Sequence, residues 1–151
     1  MTRAVDPSLV DAEQLNSLAL RQPPFAHHLR IHMTHVSREC VAAELQVGPE
    51  HANRNGMLHG GAVMALADNL GGTATVANLP EGMTTSTIES KTNFFASVAI
   101  GDVIRAECTP LHRGKTTMVW QTRVTRGDGR LAAIVTQTQL VMKAKGGGTD
   151  A

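Results

Sequence analysis

A histidine followed by two glycines, His59-Gly60-Gly61, stands just ahead of a lone aspartate, Asp68, and the residues between are apolar or small. Ala62, Val63, Leu66, Ala67, Leu70, Ala74 and Ala77 recur at helical spacing and predict one long helix over 59–77. The histidine and glycines open that helix, where main-chain N–H groups have no intrahelical acceptor. Such donors, reinforced by the helix dipole, suit an oxyanion or a polarised carbonyl. Glycine there lets a ligand approach the backbone closely. A carboxylate in an apolar run is costly unless paired, and one held in a cleft is a candidate nucleophile or general base on water.

Helix geometry adds a constraint. Gly60 and Asp68 are eight residues apart, about 12 Å along a helix axis. A donor and a base acting on one carbonyl must each lie near it, at roughly 3 Å. If both take part, Gly60 of one subunit works with Asp68 of another, so this reading requires a dimer.

The elements that must position these residues follow from the flanking pattern. A short helix is expected over about 8–20, capped by Asp6 or Ser8 and ended by Pro23-Pro24. Residues 25–36 and 39–48 read as two strands, and Gly48-Pro49 closes the second. Residues 50–58 are polar and turn-rich, hence a loop. Gly71-Gly72 weaken the long helix by about 1 kcal/mol each relative to alanine; close packing on a sheet, or fraying, would accommodate them. Strands are then expected at 84–95, 102–113, 116–127 and 130–143, with Gly127-Asp-Gly129 as a hairpin turn between the last two. Residues 1–143 form the expected single domain, and 144–151 a flexible Gly-rich tail. The fold class is α+β: an antiparallel β-sheet wrapped around one long central helix. Such a sheet leaves edges and a face to cover, and dimerisation covers them.

Composition excludes other classes. The 151 residues carry a formal net charge of +1 and only 3% aromatics, so neither nucleic acid nor a membrane surface is an expected partner. No apolar run approaches the ~20 residues of a membrane span, and the N-terminus lacks a signal-peptide core, which makes the cytoplasm the default compartment. Cys40 and Cys108 lie in apolar strand-like runs as small buried residues. His27, His28, His32 and His35 have no Cys or carboxylate completing a zinc set, so no metal site is expected. Trp120, Phe94 and Phe95 read as core or pocket wall, joined there by Met64 and Met118.

Three stretches together, NRNGMLHGGAVMALADNLGG (53–72), TSTIESKTNFFASVAIGD (85–102) and LHRGKTTMVWQTRV (111–124), resemble the hotdog-fold acyl-CoA thioesterases of the phenylacetate-degradation (PaaI-like) type. The similarity spans roughly 25–143. It implies a homodimer paired again into a homotetramer, with active sites at the dimer interface. It implies Asp68 as the catalytic carboxylate and Gly60 N–H as the group that polarises the thioester carbonyl. His59 and Asn53 would flank the site, Asn53 helping to position substrate or water. Ser86, eighteen residues after Asp68, matches a position that holds the attacking water. The basic turn Arg113-Gly114-Lys115 would contact the phosphates of coenzyme A, with Gly114 giving backbone access. The substrate would be an acyl-CoA with a small aromatic or medium-chain acyl group, needing no cofactor because coenzyme A is part of the substrate. A hotdog-fold enoyl-thioester hydratase or dehydratase is the alternative, although the His-Phe-Pro-Gly-like loop of that chemistry is missing. A non-catalytic acyl-CoA-binding protein is the third reading.

Overall fold

The computed structural model describes residues 11–145. Asp6, Ser8 and the tail beyond Lys145 lie outside the described residues. Helix α1, Ala12–Leu20, is capped by Asp11: Gln14 N–H donates to Asp11 Oδ1 at 2.9 Å and Asp11 N–H to Gln14 Oε1 at 2.9 Å. This reciprocal pairing satisfies a donor that the helix itself leaves open. Pro23-Pro24 then starts a second helix, α2, Pro24–His28. The strand expected over 25–36 is therefore confined to β1, His32–Val36. The reason is local: Pro24 occupies the first helical position, where its fixed φ fits and its missing N–H costs nothing. Buried Ala26 anchors the turn, and Arg30, at φ 58°, redirects the chain into β1.

Strand β2 is Val41–Gln46, with Val41, Ala43 and Leu45 facing the core at alternate positions. Helix α3 runs from Gly60 to Val76. Four long strands follow: β3 Met83–Phe94, β4 Val103–Arg113, β5 Thr117–Thr125 and β6 Leu131–Lys143. All pair antiparallel in one six-stranded sheet of order β1-β2-β4-β5-β6-β3. The β5–β6 hairpin closes through Arg126 N–H to Arg130 O at 2.9 Å, with Gly129 at φ 83°.

The core lies between α3 and the inner face of the sheet. Leu66, Leu70 and Ala74 pack with Val41, Leu45, Ile104, Trp120 and Val124. Each large side chain buried this way stabilises the fold by about 1.5–3 kcal/mol. Trp120 Nε1–H donates to Thr75 Oγ1 at 2.8 Å, and that hydroxyl donates to Gly71 O at 2.8 Å. The two helix glycines differ. Gly71 is buried against β6, where an added Cβ would stand 2.1 Å from Gln137 Oε1, whereas Gly72 faces open space. Close packing on the sheet explains the first only.

Among the described residues, nothing covers the β3 edge or one stripe of α3. Strand β3 is an edge of the sheet, twelve residues long, and Ile88 and Phe94 on it are 56% and 54% exposed. Along α3 the exposed stripe is Gly61, Met64 and Asp68.

Candidate active site

The loop before α3 is fastened at several points. The buried ring of His51, in a 3-10 turn over Pro49–His51, accepts from Gly48 N–H through Nδ1 at 3.0 Å and lies 3.0 Å from Leu29 O through Nε2. A neutral ring protonated on Nε2 satisfies both contacts. The His51 carbonyl accepts from His59 N–H at 2.8 Å. Asn53 closes the next turn: its Oδ1 accepts from Asn55 N–H at 2.8 Å and Met57 N–H at 3.2 Å, around Gly56 at φ 71°. Asn53 borders a cavity of about 390 Å³.

His59 is the N-cap of α3, and its Nδ1 accepts from Gly61 N–H at 2.8 Å. In a neutral ring the proton then sits on Nε2; His59 is exposed and borders a separate cavity of about 220 Å³ with Phe25 and Ala52, not the one that Asn53 lines. Ala62 N–H bonds back to His59 O at 3.0 Å. Among the described residues Gly60 N–H has no acceptor, and Gly60 lines the same cavity as Asn53, Phe94, Phe95 and Val98. Among the described residues the open donors at the helix start thus reduce to one, on a residue that lines a cavity. An added Cβ at Gly60 would lie 3.0 Å from Phe94 Cζ.

Asp68 stands on the exposed stripe of α3, not in an apolar interior as its neighbours in sequence suggest. Helical periodicity turns those neighbours into the core and leaves Asp68 exposed at the border of that face, within reach of β3 and β6. Its Oδ1 accepts from Thr87 Oγ1 at 2.8 Å and Gln137 Nε2 at 2.5 Å. Its Oδ2 has no partner among the described residues. Asp68 borders a different cavity, of about 340 Å³, with Leu18, Arg21, Asn69, Thr73 and Val76. Gly60 and Asp68 therefore open into separate spaces of one chain, as the helix rise requires.

The other expected residues are distributed as follows. Ser86 pairs with Leu140 on β6, on the face of β3 opposite to Thr85 and Thr87, and the hydrogen bonds to Asp68 among the described residues come from elsewhere. The hydroxyl that reaches the carboxylate belongs to Thr87. Arg113 lies by the C-terminal end of α3, donating to Asn78 Oδ1 at 3.2 Å and pairing with both carboxylate oxygens of Glu39 at 2.9 and 3.1 Å. Asn78 is ten residues beyond Asp68, about 15 Å along the helix. Gly114 N–H is engaged by Thr117 O at 2.9 Å, and a Cβ there would meet His112 Nε2 at 2.5 Å. Its small size serves the turn rather than a ligand's access to backbone. Lys115 is exposed, without an ion-pair partner among the described residues. Phe94 and Phe95 line the Gly60 cavity, whereas Met118 is core and Met64 is exposed. Cys108 is buried and Cys40 half-buried, both as free thiols. His27 and His28 lie on α2, not on the strand expected over 25–36, whereas His32 and His35 lie on β1.

Sequence reasoning missed His51, Thr87 and Gln137. Gln137 did carry a signal: with Gln139 it interrupts the buried row Ala133, Val135, Val141 on β6, so two amides stand where the alternation calls for apolar groups. His51 and Thr87 carried none.

Residues 55–133 match the model of the Thioesterase superfamily. The proofreading thioesterase EntH of Klebsiella pneumoniae is 35% identical over 103 residues, which is 68% of this chain and 74% of that protein. A thioesterase from Haemophilus influenzae superposes with a TM-score of 0.79 at 26% identity, over 92% of this chain and 95% of that one. A Streptococcus mutans protein solved with bound acetyl-CoA superposes with a TM-score of 0.70 at 25% identity, over 77% of this chain and 91% of that one. The PaaI protein of Escherichia coli shares the fold at a TM-score of 0.78 and 19% identity, over 89% of this chain and 94% of that one.

Proposed function

The chain belongs to the thioesterase superfamily, a hotdog-fold hydrolase acting on thioester bonds, and on that premise we propose that its substrate is an acyl-CoA, cleaved to free acid and coenzyme A at sites shared by two copies of the chain. One observation carries this reading: Gly60, whose N–H is unpaired among the described residues, and Asp68, whose Oδ2 is likewise unpaired, line different cavities of one protomer. Pairing two copies through the β3 edge and the exposed stripe of α3 would bring one of each to a common thioester, and pairing two such dimers through another surface would give the tetramer.

In that site Gly60 N–H holds the thioester oxygen and stabilises the charge that develops on it. The Nε2–H of His59 and the free NH2 of Asn53 flank the acyl group. Asp68 reacts through Oδ2, either taking the proton of an attacking water or attacking the carbonyl itself. Thr87 holds the opposite carboxylate oxygen, while Ser86, on the outer face of β3, orients water from across the interface. Lys115 and Arg113 bind coenzyme A phosphates, Arg113 exchanging part of its pairing with Glu39. The acyl group is small aromatic or medium-chain, resting on Phe94 and Phe95. Coenzyme A as the carrier is supported by the acetyl-CoA held by the Streptococcus mutans protein. A cytoplasmic site of action accords with the substrate; among the described residues no helix is long and apolar enough to cross a membrane.

The test is thiol release from a panel of acyl-CoA esters, with enoyl-CoA hydration followed in parallel. Hydrolysis that falls by roughly 10²–10⁴ in Asp68→Asn is expected. Tight binding without turnover, or hydration without hydrolysis, would refute the reading. After a single turnover in heavy-oxygen water, label in the Asp68 side chain would establish that Asp68 attacks, because a general base exchanges no oxygen.

A further inference from the structure

Beneath Asp68 lies a chain of polar groups that the core does not need. Gln137 and Gln139 project from β6 between strand and helix, 2% and 1% exposed. Thr85 Oγ1 stands 2.9 Å from Gln139 Oε1, and Gln139 Nε2 donates to Thr87 Oγ1 at 2.8 Å. Gln137 Nε2 also reaches Thr87 Oγ1, at 3.1 Å, besides Asp68 Oδ1. The Thr87 oxygen therefore accepts twice, and its single proton is directed to Asp68. A carboxylate oxygen is held from two sides by groups whose own orientation is fixed from below.

Two features of this cluster are unfavourable for a core. Gln137 Oε1 is buried with no hydrogen-bond partner. It lies against Gly71, in a notch that exists only because that helical position lacks a Cβ. Reversing the amide would aim its carbonyl at the Asp68 carboxylate. An orphaned acceptor and a mid-helix glycine both cost stability, and both have one local consequence: the Gln137 NH2 sits at Asp68.

We infer that Gln137 is a positioning residue for thioester hydrolysis: with Thr87 it fixes Asp68 Oδ1, so that Oδ2 alone meets the substrate, and Gly71 makes room for it. The inference rests on the proposed role of Asp68. Rates follow from the fixed orientation of the carboxylate, not from contact between Gln137 and substrate.

The experiment compares wild type, Asp68→Asn, Gln137→Met, Thr87→Val and Thr87→Ser in benzoyl-CoA and octanoyl-CoA hydrolysis, with thermal unfolding of each. Gln137→Met keeps the volume and removes the donor together with the orphaned acceptor. It should lower kcat roughly ten- to hundred-fold with KM within about a factor of two, and its melting temperature should equal or exceed wild type. Thr87→Val should lose kcat likewise, while Thr87→Ser, which restores the hydroxyl, should retain it. If Gln137→Met and Thr87→Val keep wild-type kcat while Asp68→Asn is inactive, the positioning role is overturned and the reading of Asp68 stands. If Asp68→Asn stays active, the reading of Asp68 itself fails. Should Gln137→Met not fold, the Thr87 pair decides by the same criterion.

Discussion

Replacing His51 by alanine should destabilise the protein by about 3 kcal/mol. The ring joins two main-chain segments far apart in sequence, Gly48 and Leu29, through one hydrogen bond each. Each bond is worth roughly 1 kcal/mol net, and the partners left behind are costly if buried. Removing a 3% exposed ring leaves a void worth about another 1 kcal/mol. A neighbouring cavity of about 220 Å³, bordered by Leu29 and Ala52, admits water to the orphaned groups and keeps the penalty near this lower range. At roughly 2–4 °C per kcal/mol for a chain of this size, the melting temperature should fall by about 6–12 °C. His51→Asn places an acceptor where Nδ1 stood but cannot reach Leu29, so it should lose about half as much. Activity should fall less than tenfold in folded protein at low temperature, because the His51 carbonyl, not its ring, holds His59 N–H. Calorimetry of the three proteins provides the check. If His51→Ala melts within about 2 °C of wild type, the ring does not fasten this loop.

Other consequences follow from the same geometry. Trp120→Phe removes the donor to Thr75 and leaves a void in the core; it should cost about 2 kcal/mol in urea unfolding followed by circular dichroism. Burial pushes the Cys108 thiol up to about 12, helped by the nearby Cys40 and partly opposed by a hydrogen bond from Thr122. Thiolate at Cys108 is therefore scarce at pH 8 and appears only as pH climbs toward that value, so a disulfide reagent at pH 8 should reach this residue only after denaturation. Fast labelling of Cys108 in native protein would contradict its packing. Lys115→Ala should raise KM for acyl-CoA about three- to tenfold with kcat unchanged, and added salt should raise KM more in wild type than in the variant.

The long helix and its glycine start were legible because an apolar row at helical spacing, cut off by a polar turn, admits few other structures. Strands β3 to β6 were legible from their punctuation, bounded by Gly82, Gly101, Gly114 and Gly129. The helix α2 was not, because Pro23-Pro24 stops one helix and starts the next with equal ease. At the site, Gly60 and Asp68 could be read from one segment. What holds Asp68 could not, because Thr87 and Gln137 reach it from strands 19 and 69 residues later in the chain. Eighteen residues past Asp68, Ser86 has the matching spacing, yet one step in a strand reverses the face, and Thr87 makes the contact.

The central claim is that one protomer's Gly60 and its partner's Asp68 act on one thioester. Mixing subunits tests it. Asp68→Ala and Gly60→Val chains, each inactive as a homodimer, would be co-expressed with different tags and the mixed dimers isolated. In a mixed dimer one site keeps an open Gly60 N–H and Asp68, while the other has an obstructed N–H and no carboxylate, so acyl-CoA hydrolysis should recover to about half the wild-type kcat per dimer. Mixed dimers as inactive as either parent would show that the two groups act within one chain, or that the reaction does not use both.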